Sequence, residues 1–288
     1  MPHYKSDRAF QIVNSIIMVV ISLTMLAPLI NLAAVSLSTA DSVKLNLVYF
    51  WPKGWNLDVY RIVFQKETLW RSLLVSIYIT VTGTAASLFF NSTLAYALSR
   101  PYMPLKKTIL KALIFTFVFS IPLIPYYLTI RAVHMNNTLW ALIVPGALSA
   151  FYIIIMKTFF QGISKEVFEA AEVDGCSEFG SYGRIVLPLS KPVMATIGLF
   201  HAVSQWNAYF SALIFIRNKD LYPIQVVLRS LVIENKTGSA PSGIDLMLST
   251  PEQIKAGIIL FGTVPILLVY PFLQKYFVKG AMLGSLKE

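Results

Sequence analysis

Six stretches of this chain carry no Asp, Glu, Lys or Arg and are each long enough to cross a bilayer as a helix: residues 9–40, 72–99, 112–130, 132–156, 192–216 and 256–274. A hydrocarbon core about 30 Å thick takes roughly 20 helical residues at about 1.5 Å rise each. Inside lipid the backbone has no water to bond, so a spanning segment must satisfy its own N–H and C=O groups. Only 13% of the residues are charged and the mean hydropathy is +0.65, whereas a soluble domain carries about 25% charged residues. These features predict an all-α membrane protein of six transmembrane helices, folded as a single polytopic domain over 1–288.

Basic residues border the spans, among them Arg8, Arg71, Arg100, Lys157 and Lys255, where long stems reach the headgroups. The net charge of +10 is scattered over these borders rather than gathered into one stripe, which argues against nucleic acid and for the bilayer as partner. The first window follows Lys5 and Arg8 as a secretory signal does, but its apolar run far exceeds the usual 7–15 residues, so it is expected to stay as an anchoring span. Cys176, the sole cysteine, excludes an intrachain disulfide and a cysteine zinc site.

With six spans, loops 100–111 and 157–191 lie on the side of the termini, and 41–71, 131–137 and 217–255 lie opposite. Arg100, Lys106, Lys107 and Lys111 crowd the first of these loops, whereas the third-to-fourth connection holds only Arg131 and His134. The positive-inside rule then places both termini in the cytoplasm. The long opposite segments mix aromatic residues, Pro and Gly with charges, as at Trp51-Pro52-Lys53-Gly54-Trp55 and Ser239-Ala240-Pro241-Ser242-Gly243, and suit an extracytoplasmic binding surface.

Between the fourth and fifth windows lies a charged island, Glu169-Ala170-Ala171-Glu172-Val173-Asp174-Gly175-Cys176-Ser177, running on to Ile185-Val186-Leu187-Pro188. Ala170 and Ala171 are strong helix formers with small side chains, and Glu169 and Glu172 suit the positive end of a helix dipole. Gly175 supplies a left-handed turn. Phe179, Tyr182, Ile185 and Leu187 give a second segment an apolar side, and Pro188 resets the chain before the next span. The whole reads as helix, turn, helix, and is the expected docking point for a soluble partner.

In these residues the chain resembles the membrane-spanning permease subunits of binding-protein-dependent ABC importers: Glu169-Ala170-Ala171, Gly175 four residues on, and the ending Ile185-x-Leu187-Pro188 are in register. The Leu187-Pro188-Leu189-Ser190-Lys191-Pro192 run, Trp206-Asn207 and the ending Gln274-Lys275-Tyr276-Phe277 are similar to the carbohydrate branch, the group containing the second maltose permease subunit. Cys176 stands where that branch usually has a small residue such as Ala. The resemblance implies that loop 157–191 forms coupling helices seated on an ATPase, with Glu169, Ala170, Ala171, Asp174, Gly175, Cys176 and Ser177 at the contact. It further implies a second, different permease subunit, two ATP-binding subunits that carry ATP and Mg, and an extracytoplasmic solute-binding protein at a bacterial cytoplasmic membrane.

No chemistry of its own is expected from this chain. Gly257 to Gly262 has the spacing of a phosphate-cradling loop but is followed by Thr263 within an apolar span. His3, His134 and His201 lack a metal-ligand spacing, and no paired intramembrane carboxylates serve proton coupling. Neither a catalytic residue nor a bound cofactor or metal is expected.

The most polar intramembrane patch is Ser204-Gln205-Trp206-Asn207-Ala208-Tyr209. Gln205 and Asn207 are costly against lipid, and Trp206 and Tyr209 can stack on a sugar ring; interhelical hydrogen bonding with aromatic packing explains the same residues. Tyr126 and Arg131 are further candidates for the solute path. Arg131, Arg217, Lys219 and Arg229 suit an acidic oligosaccharide. Two other classes are alternatives for such a chain: an ion-driven secondary transporter, which calls for ionisable residues within spans and often inverted repeats, and a membrane scaffold or receptor whose loop recruits a cytoplasmic partner.

Overall fold

A computed structural model describes residues 3–234 and 249–285. The Ser239–Gly243 stretch lies outside them. The described residues are helical, with no β-strand among them. In chain order the helices are α1 (His3–Ser36), α2 (Ala40–Lys44), α3 (Asp58–Gln65), α4 (Glu67–Ser99), α5 (Lys106–Val118), α6 (Leu123–Ala132), α7 (Trp140–Ile143) and α8 (Ala150–Gln161). They continue with α9 (Lys165–Val173), α10 (Glu178–Ser181), a π-helical turn (Tyr182–Val186), α11 (Leu187–Leu189), α12 (Lys191–Asn207), α13 (Phe210–Phe215), a 3₁₀ turn (Lys219–Leu221), α14 (Ile224–Glu234) and α15 (Pro251–Ser285). Two compact units result, 1–70 with 228–265 and 71–227 with 266–288.

In the first unit α1 is apolar and exposed along most of its length, from Phe10 to Ile30. A surface helix of a soluble protein shows a charged or polar face; from Phe10 to Ile30 α1 carries no charged residue and mostly apolar side chains, so its coat is lipid or another apolar chain. Its C-terminal end is built into the unit. There Ser38 Oγ donates to Ala34 O at 2.6 Å, Ser36 Oγ meets Tyr60 Oη at 2.9 Å, and the buried Gln253 Nε2 donates to Ser38 O at 2.6 Å. Phe261 meets the rings of Phe64 and Trp70 edge-on, Trp70 at 5.1 Å, and those two rings tilt against each other at 32°.

In the second unit Ala95, Tyr96 and Leu98 of α4 pack with Ile153, Met156 and Phe160 of α8, Val186, and Val193 and Ile197 of α12. On α8 and α12 these side chains are spaced three or four apart, which puts them on one face of each helix.

Three of the uncharged windows appear as continuous helices long and apolar enough to span: Phe10–Ser36, Glu67–Ser99 and Pro251–Val269. The other three differ from the unbroken helices expected of them. Window 112–130 breaks between α5 and α6, whose axes differ by 119°. Pro122 lacks an N–H and disfavours helix at Ile121, so the chain leaves the helix at Phe119 and restarts after Pro122. Window 132–156 turns at His134 and Asn137, both at positive φ, runs through the four-residue α7, and opens again over 144–149 before α8. Window 192–216 is interrupted at Ala208, between α12 and α13.

Breaks in an apolar helical segment free backbone groups that must find partners. At 144–149 the partners are side chains of α4 and α12. The buried Asn91 donates to Ala147 O at 2.8 Å and accepts from the N–H of Ser149 at 2.9 Å. Gln205 donates to Leu142 O at 2.8 Å, and His201 Nε2 lies 3.3 Å from Gly146 O with its Nδ1 3.2 Å from Thr84.

Candidate functional site

The charged island folds as a helical hairpin whose ends are locally specified. Ser164 caps α9, accepting from the N–H of Glu166 at 3.3 Å. At the other end Cys176 N–H bonds Ala171 O at 2.8 Å and Gly175 N–H bonds Glu172 O at 3.0 Å. That pair of bonds is the Schellman ending, which needs a left-handed residue at its turn. Gly175 provides it, with φ +74°. Ser177 then caps α10, accepting from the N–H of Gly180 at 3.2 Å. Cys176 tucks against Gly180, where an added Cβ would lie 2.7 Å from its sulfur.

Helix α9 starts at Lys165, so the dipole argument made for Glu169 and Glu172 does not hold. Glu166 occupies the favourable first turn, and Glu172 lies in the last turn, where the dipole opposes it. Ala171 is buried; Glu169, Ala170, Glu172, Asp174, Gly175 and Ser177 are exposed, and Cys176 is half-buried. The apolar side chains flanking the turn are not tucked away. Val173 is 87% and Phe179 86% exposed.

Beneath this tip the hairpin is fastened to the end of α4 by residues that the sequence reading did not group with it. Arg100 Nη2 donates to Glu178 Oε1 at 3.0 Å and its Nε to Oε2 at 3.2 Å. Tyr96 Oη donates to the same carboxylate at 2.5 Å, and Tyr102 Oη donates to it as well. Arg100 Cζ stands 4.1 Å from the ring centroid of Phe168 on α9. Tyr182, within the π-helical turn, meets Ser92 Oγ at 2.6 Å. Partial burial pushes the Glu178 carboxyl up, but the hydrogen bonds from Arg100, Tyr102 and Tyr96 outweigh it and hold the group at about 2. The carboxylate is therefore charged throughout the physiological range, and the cluster does not switch with pH there. Arg100 and Glu178 are 78 residues apart, and no local pattern announces such a pair.

The polar patch of the fifth window divides by environment. Trp206 is only 6% exposed, and its indole N–H finds no hydrogen-bond partner among the described residues. Asn207 is exposed and donates to Val203 O of its own helix at 2.8 Å. Tyr209 is half-buried and packs near Ile79, Leu142 and Ala212. Gln205 lines a cleft of about 230 Å³ together with Tyr126, Pro145, Ser204 and Ser211. This lies below the roughly 300–1,000 Å³ of sites that hold small ligands, so the cleft is narrow as it stands. Arg131, at the end of α6, is exposed. Gln205 thus does two jobs, bonding the broken α7–α8 backbone and bordering the cleft, while Trp206 faces the interior. No three His, Cys, Asp or Glu side chains come together as metal ligands among the described residues.

Comparison with known proteins gives a consistent assignment. Residues 6–282 match the family described as binding-protein-dependent transport system inner membrane components. Protein LplC of Bacillus subtilis strain 168 is 40% identical over 289 residues, covering 100% of this chain and 98% of its own. The polygalacturonan/rhamnogalacturonan transport system permease protein YtcP of the same organism is 39% identical, covering 98% of this chain and 99% of its own. A chain of the crystal structure of a bacterial ABC transporter involved in the import of the acidic polysaccharide alginate superposes with a TM-score of 0.88 at 32% identity, covering 94% of this chain and 98% of that one.

Proposed function

The chain belongs to the inner membrane components of binding-protein-dependent transport systems, and from that premise we propose that it is one permease subunit of an ATP-driven importer of acidic oligosaccharides. The chain itself is a transport component and not an enzyme; ATP and Mg are bound and used on two partner ATPase subunits. A second permease subunit completes the path, and an extracytoplasmic solute-binding protein delivers the cargo. The saccharide class is supported by similar proteins named for polygalacturonan/rhamnogalacturonan transport and for alginate import and by the exposed Arg131, Arg217 and Lys219. No observation favours an ion-driven transporter or a scaffold.

The observation that carries this reading is the tip of the hairpin: Val173 and Phe179, at 87% and 86% exposure, on either side of the left-handed turn at Gly175. Apolar side chains held this far out of their own fold serve a partner. We place the ATPase there, with Glu169, Ala170, Ala171, Asp174, Gly175, Cys176 and Ser177 around the contact. Closure of the ATPase pair moves the docked hairpin, and rigid helices carry the movement to the solute path. Val173→Asp with Phe179→Asp is expected to cut the amount of ATPase that co-purifies at least ten-fold while the chain still inserts. Undiminished co-purification sinks the docking assignment.

We read residues 1–288 as one permease domain whose six windows all serve as spans, the broken ones included, with both termini and the hairpin in the cytoplasm. The cationic 100–111 loop supports this orientation. A membrane-impermeant thiol reagent added to spheroplasts is expected to miss the half-buried Cys176 and, with Lys53→Cys in place, to label the exposed position 53. Labelling of Cys176 from outside reverses the topology.

For the solute path we retain Gln205, Trp206, Asn207, Tyr209, Tyr126 and Arg131, and their exposure sets the expected effects. Asn207→Ala, at an exposed position, should slow uptake at least three-fold in fully assembled complexes. Trp206→Ala should act first on stability, since burying an aromatic ring is worth about 3–5 kcal/mol against Ala. Uptake rates and thermal inactivation of both variants separate the two effects, and normal uptake by Asn207→Ala removes that residue from the path.

A further inference from the structure

The Arg100 guanidinium touches both arms of the hairpin at once. Its two donors reach Glu178 at the start of α10 at 3.0 and 3.2 Å, and its Cζ sits 4.1 Å over the Phe168 ring on α9. Phe168 precedes the Gly175 turn and Glu178 follows it, so one side chain, rooted just past the end of α4, spans the whole hairpin. We propose that Arg100 is a positioning residue that locks the hairpin onto the end of α4 as a single lever, so that a pull on the tip reaches α4 without slack. This rests on the docking reading above.

Three features separate this contact from an ordinary surface ion pair, which contributes little. The Arg100 side chain is only 15% exposed, although that of Glu178 is 49% exposed. The pair is bidentate, which fixes direction as well as distance, and a guanidinium stacks on a ring as an ammonium does not in the same geometry. The remaining capacity of the carboxylate is taken by Tyr96, one helical turn before Arg100 on α4, and by Tyr102 just after it. The Ser92–Tyr182 bond at 2.6 Å adds a second attachment further along α4. Two attachments along one helix prevent the hairpin from pivoting about either.

The test uses the complete importer, with both permeases, the ATPase pair and the loaded binding protein, in proteoliposomes. Two quantities are read: solute imported per ATP hydrolysed, and ATPase retained on purification. Arg100→Gln and the milder Glu178→Gln are each expected to lower solute per ATP at least five-fold with ATPase retention within two-fold of wild type. Arg100→Lys should recover only part of the loss. The double variant should be no worse than the worse single, because both remove one contact. Arg100→Glu combined with Glu178→Arg should transport more per ATP than Arg100→Glu alone. Unchanged solute per ATP in Glu178→Gln and Arg100→Gln overturns the lever, as does a loss confined to ATPase retention. Failure of the docking reading shows elsewhere, in undiminished ATPase binding by the Val173→Asp, Phe179→Asp chain.

Discussion

Replacing Gly175 by valine is expected to reduce ATP-driven uptake at least ten-fold while leaving the chain in the membrane. The residue sits at φ +74°, a region that costs an L-residue about 1–2 kcal/mol and that a β-branched side chain essentially avoids. Space is not the obstacle, since a Cβ there would meet nothing within 4 Å. The backbone is. To relieve the strain valine must open the two bonds that end α9, from Cys176 to Ala171 and from Gly175 to Glu172, and Val173 and Phe179 then lose their fixed separation. Gly175→Asn makes the control, because Asn tolerates the left-handed region, and it should keep most of the activity. Uptake and ATPase co-purification measured on both variants decide the matter: a valine chain that works as well as the asparagine chain shows that the turn has no part in coupling.

The second large effect is expected at Asn91. Its side chain is fully buried and completes two backbone groups of the broken α7–α8 segment, Ala147 O and Ser149 N–H, at 2.8 and 2.9 Å. Asn91→Leu is similar in size but orphans both groups, at about 1–3 kcal/mol for each buried group left without a partner. A destabilisation of about 2–6 kcal/mol approaches the whole stability of many domains, so the purified chain should aggregate at markedly lower temperature and accumulate poorly. Asn91→Asp keeps an acceptor for Ser149 and should fall between. A Leu variant with a wild-type thermal inactivation curve removes Asn91 from this account.

The hairpin was legible because its specification is local. Ser164, Gly175 and Ser177 each act within a few residues: two serines cap helices and one glycine turns the chain. The start of α9 was harder to read, since it depends on Ser164 rather than on the Glu169-Ala170-Ala171 motif, and this displaced the dipole argument for Glu169 and Glu172. The uncharged windows announced lipid correctly as composition, yet three of them are not single helices. Pro122 stands inside its window in the sequence, but that it would part α5 from α6 by 119° shows only in the structure.

By itself, then, the sequence determined what depends on short range and on sums: an apolar, helical, membrane-embedded chain, and a capped hairpin with a left-handed turn at Gly175. Tertiary structure decided what depends on which helix meets which. Gln205 was read as a path residue from its polarity, but its amide is also committed to Leu142 O, 63 residues away. Trp206 carries the same stacking surface in sequence whether it faces a sugar or the interior, and only the packing of α12 placed it inside. Arg100 looked like one more headgroup cation until Glu178 and Phe168 met it. The physical reason is common to all three: the cost of a polar or aromatic side chain in a membrane protein is set by its neighbours, and a bond between residues tens of positions apart leaves no periodic trace along the chain.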